Sequence, residues 1–152
     1  MSQALRMWMT LKDKPLGKRL FARVICWKAP YFSSIAPRFQ ELKPGYARVM
    51  LKKRRAVENH IGTVHVIAAC NLAELGAGTM MEASLPNSMR WLPKGMTVQY
   101  LKKCATDLTA ECTSTDFAEG LARDVIVSVD MKDTHGNAVM HADINMYVSP
   151  RK

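Results

Sequence analysis

Apolar residues near the N-terminus recur at the spacing of an amphipathic helix. Five of them share one face of such a helix: Leu16, Leu20, Phe21, Val24 and Trp27. Asp13 and Pro15 stand where a capping side chain and a first-turn proline are favoured, and Pro30 ends the run. Two more aromatic residues, Tyr31 and Phe32, follow directly. The pattern predicts an amphipathic helix between Asp13 and Pro30, whose apolar face either packs in the core or covers a ligand tunnel.

Alternating apolar and polar positions predict β-structure in most of the rest of the chain. Pro44 and Gly45 fit the central positions of a type II turn. The strand that follows has apolar residues at alternate positions: Ala47, Val49 and Leu51. Further strands are predicted at 97–103, 108–113, 125–131 and 139–148, and the loop 133–137 joins the last two as a hairpin.

One central helix is predicted over residues 59–80. Its second half is rich in small residues: Ala68, Ala69, Ala73, Gly76, Ala77 and Gly78. Because glycine destabilises a helix, Gly76 and Gly78 need a packing reason, and close approach to a wrapped sheet would supply it. One long helix on an antiparallel sheet is an α+β arrangement. We expect a single domain over residues 1–152, with a helical N-terminal extension over 1–36 and the core over 37–150.

The composition is that of a globular domain. Of the 152 residues, 48% are hydrophobic and 23% are charged, which argues against disorder, a fibre or a disulfide miniprotein. The longest apolar run without charge, residues 59–73, falls short of the ~20 residues that a bilayer requires, so no membrane span is expected. No secretory signal is recognised, and the four cysteines, at positions 26, 70, 104 and 112, fit no zinc pattern. We therefore expect reduced thiols in a cytoplasmic protein.

The net charge of +9 suggests an anionic partner. The basic residues are spread in short groups, without a long basic run, an aromatic RNA-binding signature or a zinc-finger spacing. Three interpretations stay open: a solvated basic face, a site for the phosphates of a small ligand, and a nucleic-acid surface. Nucleic acid is the partner that the pattern favours least.

Two polar features of the central segment indicate chemistry. Gly62, Thr63 and His65 mark the start of the helix, where free backbone N–H groups and the helix dipole favour negative charge. Glu74 follows His65 by nine residues, or two and a half turns, among small apolar residues. The carboxylate and the helix start therefore cannot serve one reacting atom within a single chain. They could do so if two copies of the helix lay antiparallel.

The segment 59–74 resembles the motif of hot-dog-fold thioesterases, in particular the phenylacetic-acid-pathway type. Asn59, Gly62 and His65 match the pattern Asn-x-x-Gly-x-x-His, and Glu74 falls on the position of the family's carboxylate. The wider run NHIGTVHVIAACNLAELGAG, with KGMTVQYLKK and DLTAE after it, is similar to a branch of hot-dog proteins known as a domain of unknown function, to which thioesterase activity is ascribed. The resemblance covers about residues 37–148. It implies a long central helix wrapped by an antiparallel sheet, and hydrolysis of acyl thioesters.

The resemblance also implies roles for individual residues. Glu74 would act as general base or nucleophile on the thioester carbonyl, Asn59 would position the carbonyl or the water, and His65 would shape the helix start. The family's Gly-Gly is Val66-Ile67 here, and the backbone N–H of Val66 would stabilise the oxyanion while the β-branched bulk narrows the site. The substrate-binding candidates are Gly62, Ile67, Gly78, Arg54, Arg55, Lys102 and Lys103, the last four as partners of the phosphates of CoA.

We therefore expect a hydrolase of acyl-CoA or acyl-carrier thioesters, without a cofactor or a metal. A site shared between chains implies an obligate homodimer or a dimer of dimers. One alternative is a non-catalytic acyl-CoA-binding hot-dog protein in which Val66 and Ile67 close the site. The other is a hot-dog dehydratase using His60 and Glu74, which are 14 residues apart, although the Pro-Gly-rich helix start of those enzymes is absent from this sequence.

Overall fold

Residues 1–151 fold into three α-helices, two short 3₁₀ helices and one six-stranded sheet. The computed structural model describes residues 1–151, and Lys152, the last residue of the expected domain, lies outside the described residues. The helices are α1 (Gln3–Leu11), α2 (Gly17–Lys28) and α3 (Val66–Ser84), with 3₁₀ helices at Pro30–Ile35 and Arg55–Val57. The strands are β1 (Arg38–Lys43), β2 (Tyr46–Leu51), β3 (Met89–Tyr100), β4 (Leu108–Thr113), β5 (Arg123–Lys132) and β6 (Ala138–Pro150).

All strands of the sheet pair antiparallel, in the order β1-β2-β4-β5-β6-β3. The alternation predicted for the last strand is confirmed, because its apolar positions are buried and face α3 and the core: Met140, Ala142, Ile144, Met146 and Val148. The turn between β1 and β2 places Gly45 at a φ of +77°, as a type II turn requires. The predicted arrangement of one long helix on an antiparallel sheet is confirmed.

Helix α3 starts seven residues later than its sequence pattern predicts. Residues 59–63 form a tight turn, in which the Asn59 N–H donates to the Thr63 carbonyl oxygen (2.9 Å) and the Gly62 N–H to that of Asn59 (3.2 Å). The next residue, Val64, donates its N–H to the carbonyl oxygen of Cys104 (2.8 Å). A backbone tied to itself and to the segment before β4 cannot be helical, so the apolar run from residue 59 spans a loop and then a helix.

In the N-terminal extension, the buried face of helix α2 is not the apolar face that the sequence pattern predicts. Helix α2 begins at Gly17 after Leu16, which has a left-handed backbone, and Asp13 is exposed and does not cap the helix. Only Phe21 of the predicted stripe is fully buried, and its ring packs edge-on against those of Trp8 (5.2 Å) and Phe39 (5.0 Å). The core prediction is wrong for Leu16, Leu20 and Trp27, which are exposed, because α1 and β1 cover the opposite side of α2.

Strand β3 also differs from its prediction. It runs from Met89 to Tyr100 at one edge of the sheet, whereas the pattern predicts residues 97–103. Nine of its twelve positions are exposed, so the burial alternation that marks a strand in sequence is absent over most of its length. None of the helices formed by residues 1–151 is both long enough and apolar enough to cross a bilayer.

Gly76 allows the close contact between α3 and the sheet that its position in the sequence predicts. A methyl group built on Gly76 would lie 2.6 Å from Sγ of Cys112 on β4. We expect Gly76→Ala to lower the free energy of unfolding by about 1–3 kcal/mol, because overpacking outweighs the better helix propensity of alanine. Urea-induced unfolding measures this change.

A double-mutant cycle with Cys112→Ala is the control. Removing Sγ makes room for the new methyl group, so Gly76→Ala should destabilise the Cys112→Ala background much less than the wild type. Equal effects in both backgrounds would show that the contact with Cys112 is not the reason for glycine at this position.

Candidate active site

Asn59 organises the loop that leads into α3. Its Oδ1 accepts hydrogen bonds from the N–H groups of Ile61 and Thr63 (3.1 Å each), and its Nδ2 donates to Oγ1 of Thr63 (2.8 Å). Gly62 completes the turn with a φ of +75°, which favours glycine. Both polar atoms of the Asn59 side chain thus hold the loop in shape, and contact of Asn59 with a substrate or a water molecule stays a prediction.

His65 caps the N-terminus of α3. Its Nδ1 accepts the N–H of Ile67 (3.1 Å), and its carbonyl oxygen accepts the N–H of Ala68 (2.9 Å). The N–H of Val66 donates to no acceptor among residues 1–151. The start of α3 therefore keeps one free backbone donor at the positive end of the helix dipole, which is what an oxyanion needs.

Glu74 lies on the same helix as this donor, but not beside it. Eight residues separate Val66 from Glu74, which is about 12 Å along a helix axis. Glu74 is half-buried and forms no salt bridge with any group in residues 1–151. Within one chain, the carboxylate and the free N–H cannot reach the two sides of a single carbonyl group.

Glu74 lines an apolar cavity of about 310 Å³. The cavity lies between α3, the edge strand β3 and the N-terminal extension, which contributes the side chains of Ile25 and Phe32. A second cavity of about 290 Å³, lined by Met96 and Ile144, also has Glu74 in its wall. The carboxylate therefore lies in the walls of two largely apolar cavities, a setting in which a small number of polar groups define the chemistry.

Trp91 forms the β3 side of the larger cavity and is held by two residues of α3. Its Nε1 donates to Oε2 of Glu82 (3.2 Å), and a methyl group on Gly78 would lie 2.6 Å from its ring. Gly78 thus lines the cavity and makes room for the indole, and contact of Gly78 with a substrate stays a prediction. Glu82 is a second carboxylate in the same wall, and it accepts the hydrogen bond from the indole N–H of Trp91.

A smaller cavity of about 240 Å³ lies at the start of α3, where His65 and Ile67 line it. Asn71 is buried in its wall and donates from Nδ2 to Oγ of Ser34 (3.3 Å). The Asn71 Oδ1 is fully buried and accepts no hydrogen bond from residues 1–151. An unsatisfied buried acceptor costs about 1–3 kcal/mol, so a bound group that donates to it would be stabilised at this point.

Sequence reasoning missed Asn71, Glu82 and Trp91. The two helical residues carry a usable signal, because positions 71, 74, 78 and 82 follow one another at spacings of three or four and so form one line along α3. Two further polar residues on the line of Glu74 would have predicted a longer polar stripe. Trp91 has no such signal, because only the sheet brings β3 alongside α3.

The four basic candidates lie near the loop that precedes α3. Lys102 and Lys103 are exposed and come just before Cys104, whose carbonyl oxygen accepts the N–H of Val64. Arg54 donates from its guanidinium to the carbonyl oxygen of Ser34 (2.8 Å), and Arg55 is exposed. The structure therefore places all four around the start of α3, and phosphate binding by them stays a prediction.

The remaining nucleophilic and ligating groups do not form a rival site. The four cysteines are free, and burial raises the pKa of the thiols of Cys70 and Cys104, which keeps them protonated at neutral pH. His60 lies exposed in the turn before α3 and outside both cavities that Glu74 lines. No cluster of three metal-ligating side chains occurs between residues 1 and 151.

Comparisons with known proteins place this arrangement in a family. The family model described as "Domain of unknown function (DUF4442)" matches residues 17–148. The crystal structure of the structural-genomics protein APC5556 is 45% identical to this chain, with a TM-score of 0.85 over 97% of this chain and 98% of the other. No curated protein sequence matches the chain.

Two more distant structures share the fold. PA5026 from Pseudomonas aeruginosa, described as a protein of unknown function and "Probable Thioesterase", is 22% identical, with a TM-score of 0.78 over 90% of this chain and 98% of the other. Thioesterase HI1161 from Haemophilus influenzae is 11% identical, with a TM-score of 0.76 over 91% and 94% of the two chains. The chain therefore belongs to the family described as a domain of unknown function (DUF4442), and it has the hot-dog fold that these structures share.

Proposed function

We propose that this protein hydrolyses acyl thioesters, carried by CoA or by an acyl carrier protein. The observation that carries the proposal is the half-buried Glu74 carboxylate, which lies in the wall of an apolar cavity of about 310 Å³ and forms no ion pair with any group in residues 1–151. A hydrocarbon chain fits such a cavity, and a carboxylate at its side is placed to act on the bond that ends the chain. Two structures of the same fold, PA5026 and HI1161, carry thioesterase in their descriptions, which supports the reaction class.

In the proposed reaction, Glu74 acts as the general base for the hydrolytic water, or attacks the thioester carbonyl itself. The free N–H of Val66 in the partner chain stabilises the negative charge that develops on the carbonyl oxygen. With Glu74 as base, the water oxygen bonds to the carbonyl carbon and the C–S bond breaks; one water proton passes through Glu74 to the leaving thiolate, and the other is released as the acid product ionises. With Glu74 as nucleophile, the C–S bond breaks as an anhydride forms between Glu74 and the acyl group, and water then hydrolyses this anhydride. Glu74 and the Val66 N–H are both on α3 but about 12 Å apart along it, so the proposal requires two chains with antiparallel α3 helices.

Strand β3 supplies a surface on which two chains can meet. It lies at an edge of the sheet and is twelve residues long, with Met96 and Tyr100 among its exposed side chains. An exposed, long edge strand pairs readily with a second copy. We therefore propose a homodimer joined through β3, or a dimer of dimers. Lys102 and Lys103 follow β3 and would hold the phosphates of CoA together with Arg54 and Arg55.

The two alternatives are weaker on this geometry. A dehydratase needs a histidine beside the carboxylate, and His60 lies exposed in a turn outside the cavities of Glu74. A non-catalytic binding protein would need Val66 and Ile67 to close the site, but the side chain of Ile67 is exposed and borders an open cavity.

We expect Glu74→Gln to lower kcat by ~10²-fold or more, while the fold and the binding of acyl thioesters are retained. Glutamine keeps the shape of the side chain and loses the proton acceptor. The measurement is steady-state hydrolysis of a panel of acyl-CoA thioesters, with circular dichroism to verify folding.

Two control variants sharpen this test. Glu82→Gln changes the other carboxylate of the cavity and should have a mild effect, because the indole of Trp91 already occupies it. His60→Ala should also be mild, whereas in a dehydratase it would be as damaging as Glu74→Gln. Near wild-type turnover by Glu74→Gln on a good substrate would refute the assignment of the base, and an inactive wild type that binds acyl-CoA would favour the non-catalytic alternative.

Mixing two inactive variants tests whether the site is shared. Val66 is the first residue of α3, where proline is tolerated, so Val66→Pro removes the oxyanion donor and leaves the helix intact. Val66→Pro and Glu74→Gln should each be inactive. After unfolding and refolding together, random pairing should restore about a quarter of wild-type activity, because each mixed dimer has one intact site. Variants mixed without exchange of chains are the control, and no recovery after confirmed exchange would rule out a shared site.

The N-terminal extension forms one wall of the cavity, and this wall should limit the length of the acyl chain that binds. Ala4 of α1 lines the cavity and is buried. We expect Ala4→Phe to lower kcat/KM for long acyl chains by ~10-fold or more, because a hydrophobic pocket discriminates by about that factor per methylene that no longer fits. Acetyl-CoA hydrolysis should be unaffected. The same substitution at the exposed Met9 is the control, and an equal loss for all chain lengths would contradict this placement of the acyl chain.

A further inference from the structure

The N-terminal extension carries most of the net positive charge of the protein. Residues 1–36 contain seven Lys and Arg against one acidic residue, a net of +6 out of +9 in about a quarter of the chain. Lys18 and Lys28 are used within the fold, since they donate to the carbonyl oxygen of Gln40 and to Oε1 of Gln3. Arg19 and Arg23 are exposed and form no salt bridge within residues 1–151. These two guanidinium groups are free for an external anion.

The same side of α2 exposes large apolar side chains. Leu20, Arg23 and Trp27 follow one another at spacings of three and four, so they form one line on the surface of α2, and Leu16 directly precedes the helix. Trp27 is 81% exposed and Leu16 is 70% exposed. Tyr31, in the 3₁₀ helix that follows, is 73% exposed. The buried face of α2 is the opposite one, with Phe21 and Ala22, and at least half of the surface of each of these outer apolar residues is exposed.

We define the basic ridge by six residues: Leu16, Arg19, Leu20, Arg23, Trp27 and Tyr31. We propose that the basic ridge docks this protein on the surface of a membrane that contains anionic lipids. Arginine pairs with lipid phosphates, and tryptophan and tyrosine place an apolar ring and a polar group at the boundary between headgroups and acyl chains. A helix with a charged and aromatic outer face is the usual form of such a surface anchor.

Other occupants fit the basic ridge less well. A second copy would meet it through an isologous contact, which brings the positive ridge of one chain against that of the other. An acidic protein would need a pocket for each projecting side chain, because binding energy at protein interfaces is concentrated in filled pockets. A lipid surface satisfies the charge and admits Trp27 and the leucines without a complementary shape.

The position of the ridge relates docking to the cavity of Glu74. The outer face of α2 carries the ridge, and its inner face contributes Ile25 to the wall of that cavity. Docking would thus hold the apolar cavity one helix away from a lipid surface. The docking itself does not depend on hydrolysis and can be tested separately.

The test is co-sedimentation of the full chain with phosphatidylcholine vesicles, with and without phosphatidylglycerol. The wild type should bind the anionic vesicles, less at high salt, and should bind neutral vesicles poorly. Replacing Arg19 and Arg23 by alanine should weaken binding by about fivefold per arginine removed. Trp8 is buried and Trp91 is half-buried with its indole bound to Glu82, whereas Trp27 is 81% exposed. A blue shift of the emission on binding should therefore come from Trp27, and it should be absent in Trp27→Ala.

The matched control replaces Arg38 and Lys52, two exposed residues outside the N-terminal extension, by alanine. This control removes the same amount of charge and should bind vesicles like the wild type. All variants should hydrolyse a soluble acyl thioester at the wild-type rate if the protein is a hydrolase. An equal loss of vesicle binding in the variant that lacks Arg19 and Arg23 and in the control would show that net charge alone explains binding, and this would overturn the proposal. So would absence of vesicle binding, or a concentration-dependent self-association that Trp27→Ala abolishes.

Discussion

Helix α3 is apolar around most of its circumference, and a helix of that kind must be covered on every side. The sheet covers one side, at a distance so short that Gly76 has no room for a methyl group against Cys112. The N-terminal extension covers part of the other side through α1 and the 3₁₀ helix Pro30–Ile35. The cavities along α3 lie where this second cover is incomplete, so the need to bury one helix also decides where a ligand can enter.

The packing around α3 decides whether its polar side chains face solvent or a cavity. On an exposed helix, Asn71, Glu74 and Glu82 would be ordinary solvated side chains. Here they line cavities, and their contacts within residues 1–151 differ. Glu82 accepts a hydrogen bond from the indole N–H of Trp91, and Asn71 donates from Nδ2 while its Oδ1 accepts none. Glu74 forms no ion pair there. In the proposed reaction, the carboxylate in the apolar wall and the free N–H at the start of the same helix act on one carbonyl group, and they are too far apart for one chain to use both.

The N-terminal extension has two faces that serve different purposes. Its inner side buries Trp8 and Phe21 against Phe39 and closes one wall of the cavity beside Glu74. Its outer side contributes nothing to the core and carries the unpaired arginines together with Trp27. Large apolar side chains that are grouped on one exposed face mark an interaction surface, and the arginines beside them add positive charge, so this contrast between the faces is the physical basis for the proposed lipid contact.

The sequence alone predicts the features that depend on a few neighbouring residues. The Pro44-Gly45 turn and the alternation of β6 follow from steric rules that act over a few residues, and His65 and Glu74 were identified by their place in a short motif. The tertiary structure decided what depends on contacts between distant segments. The start of α3 at Val66 is set by hydrogen bonds of the Asn59 loop and of Cys104, which apolar periodicity does not record. The burial of Phe21 rather than Trp27 depends on where α1 and β1 lie. Asn71 and Trp91 reach the cavities only because the sheet and the extension enclose α3, and burial of that kind is a property of the assembled layers rather than of any local run of residues.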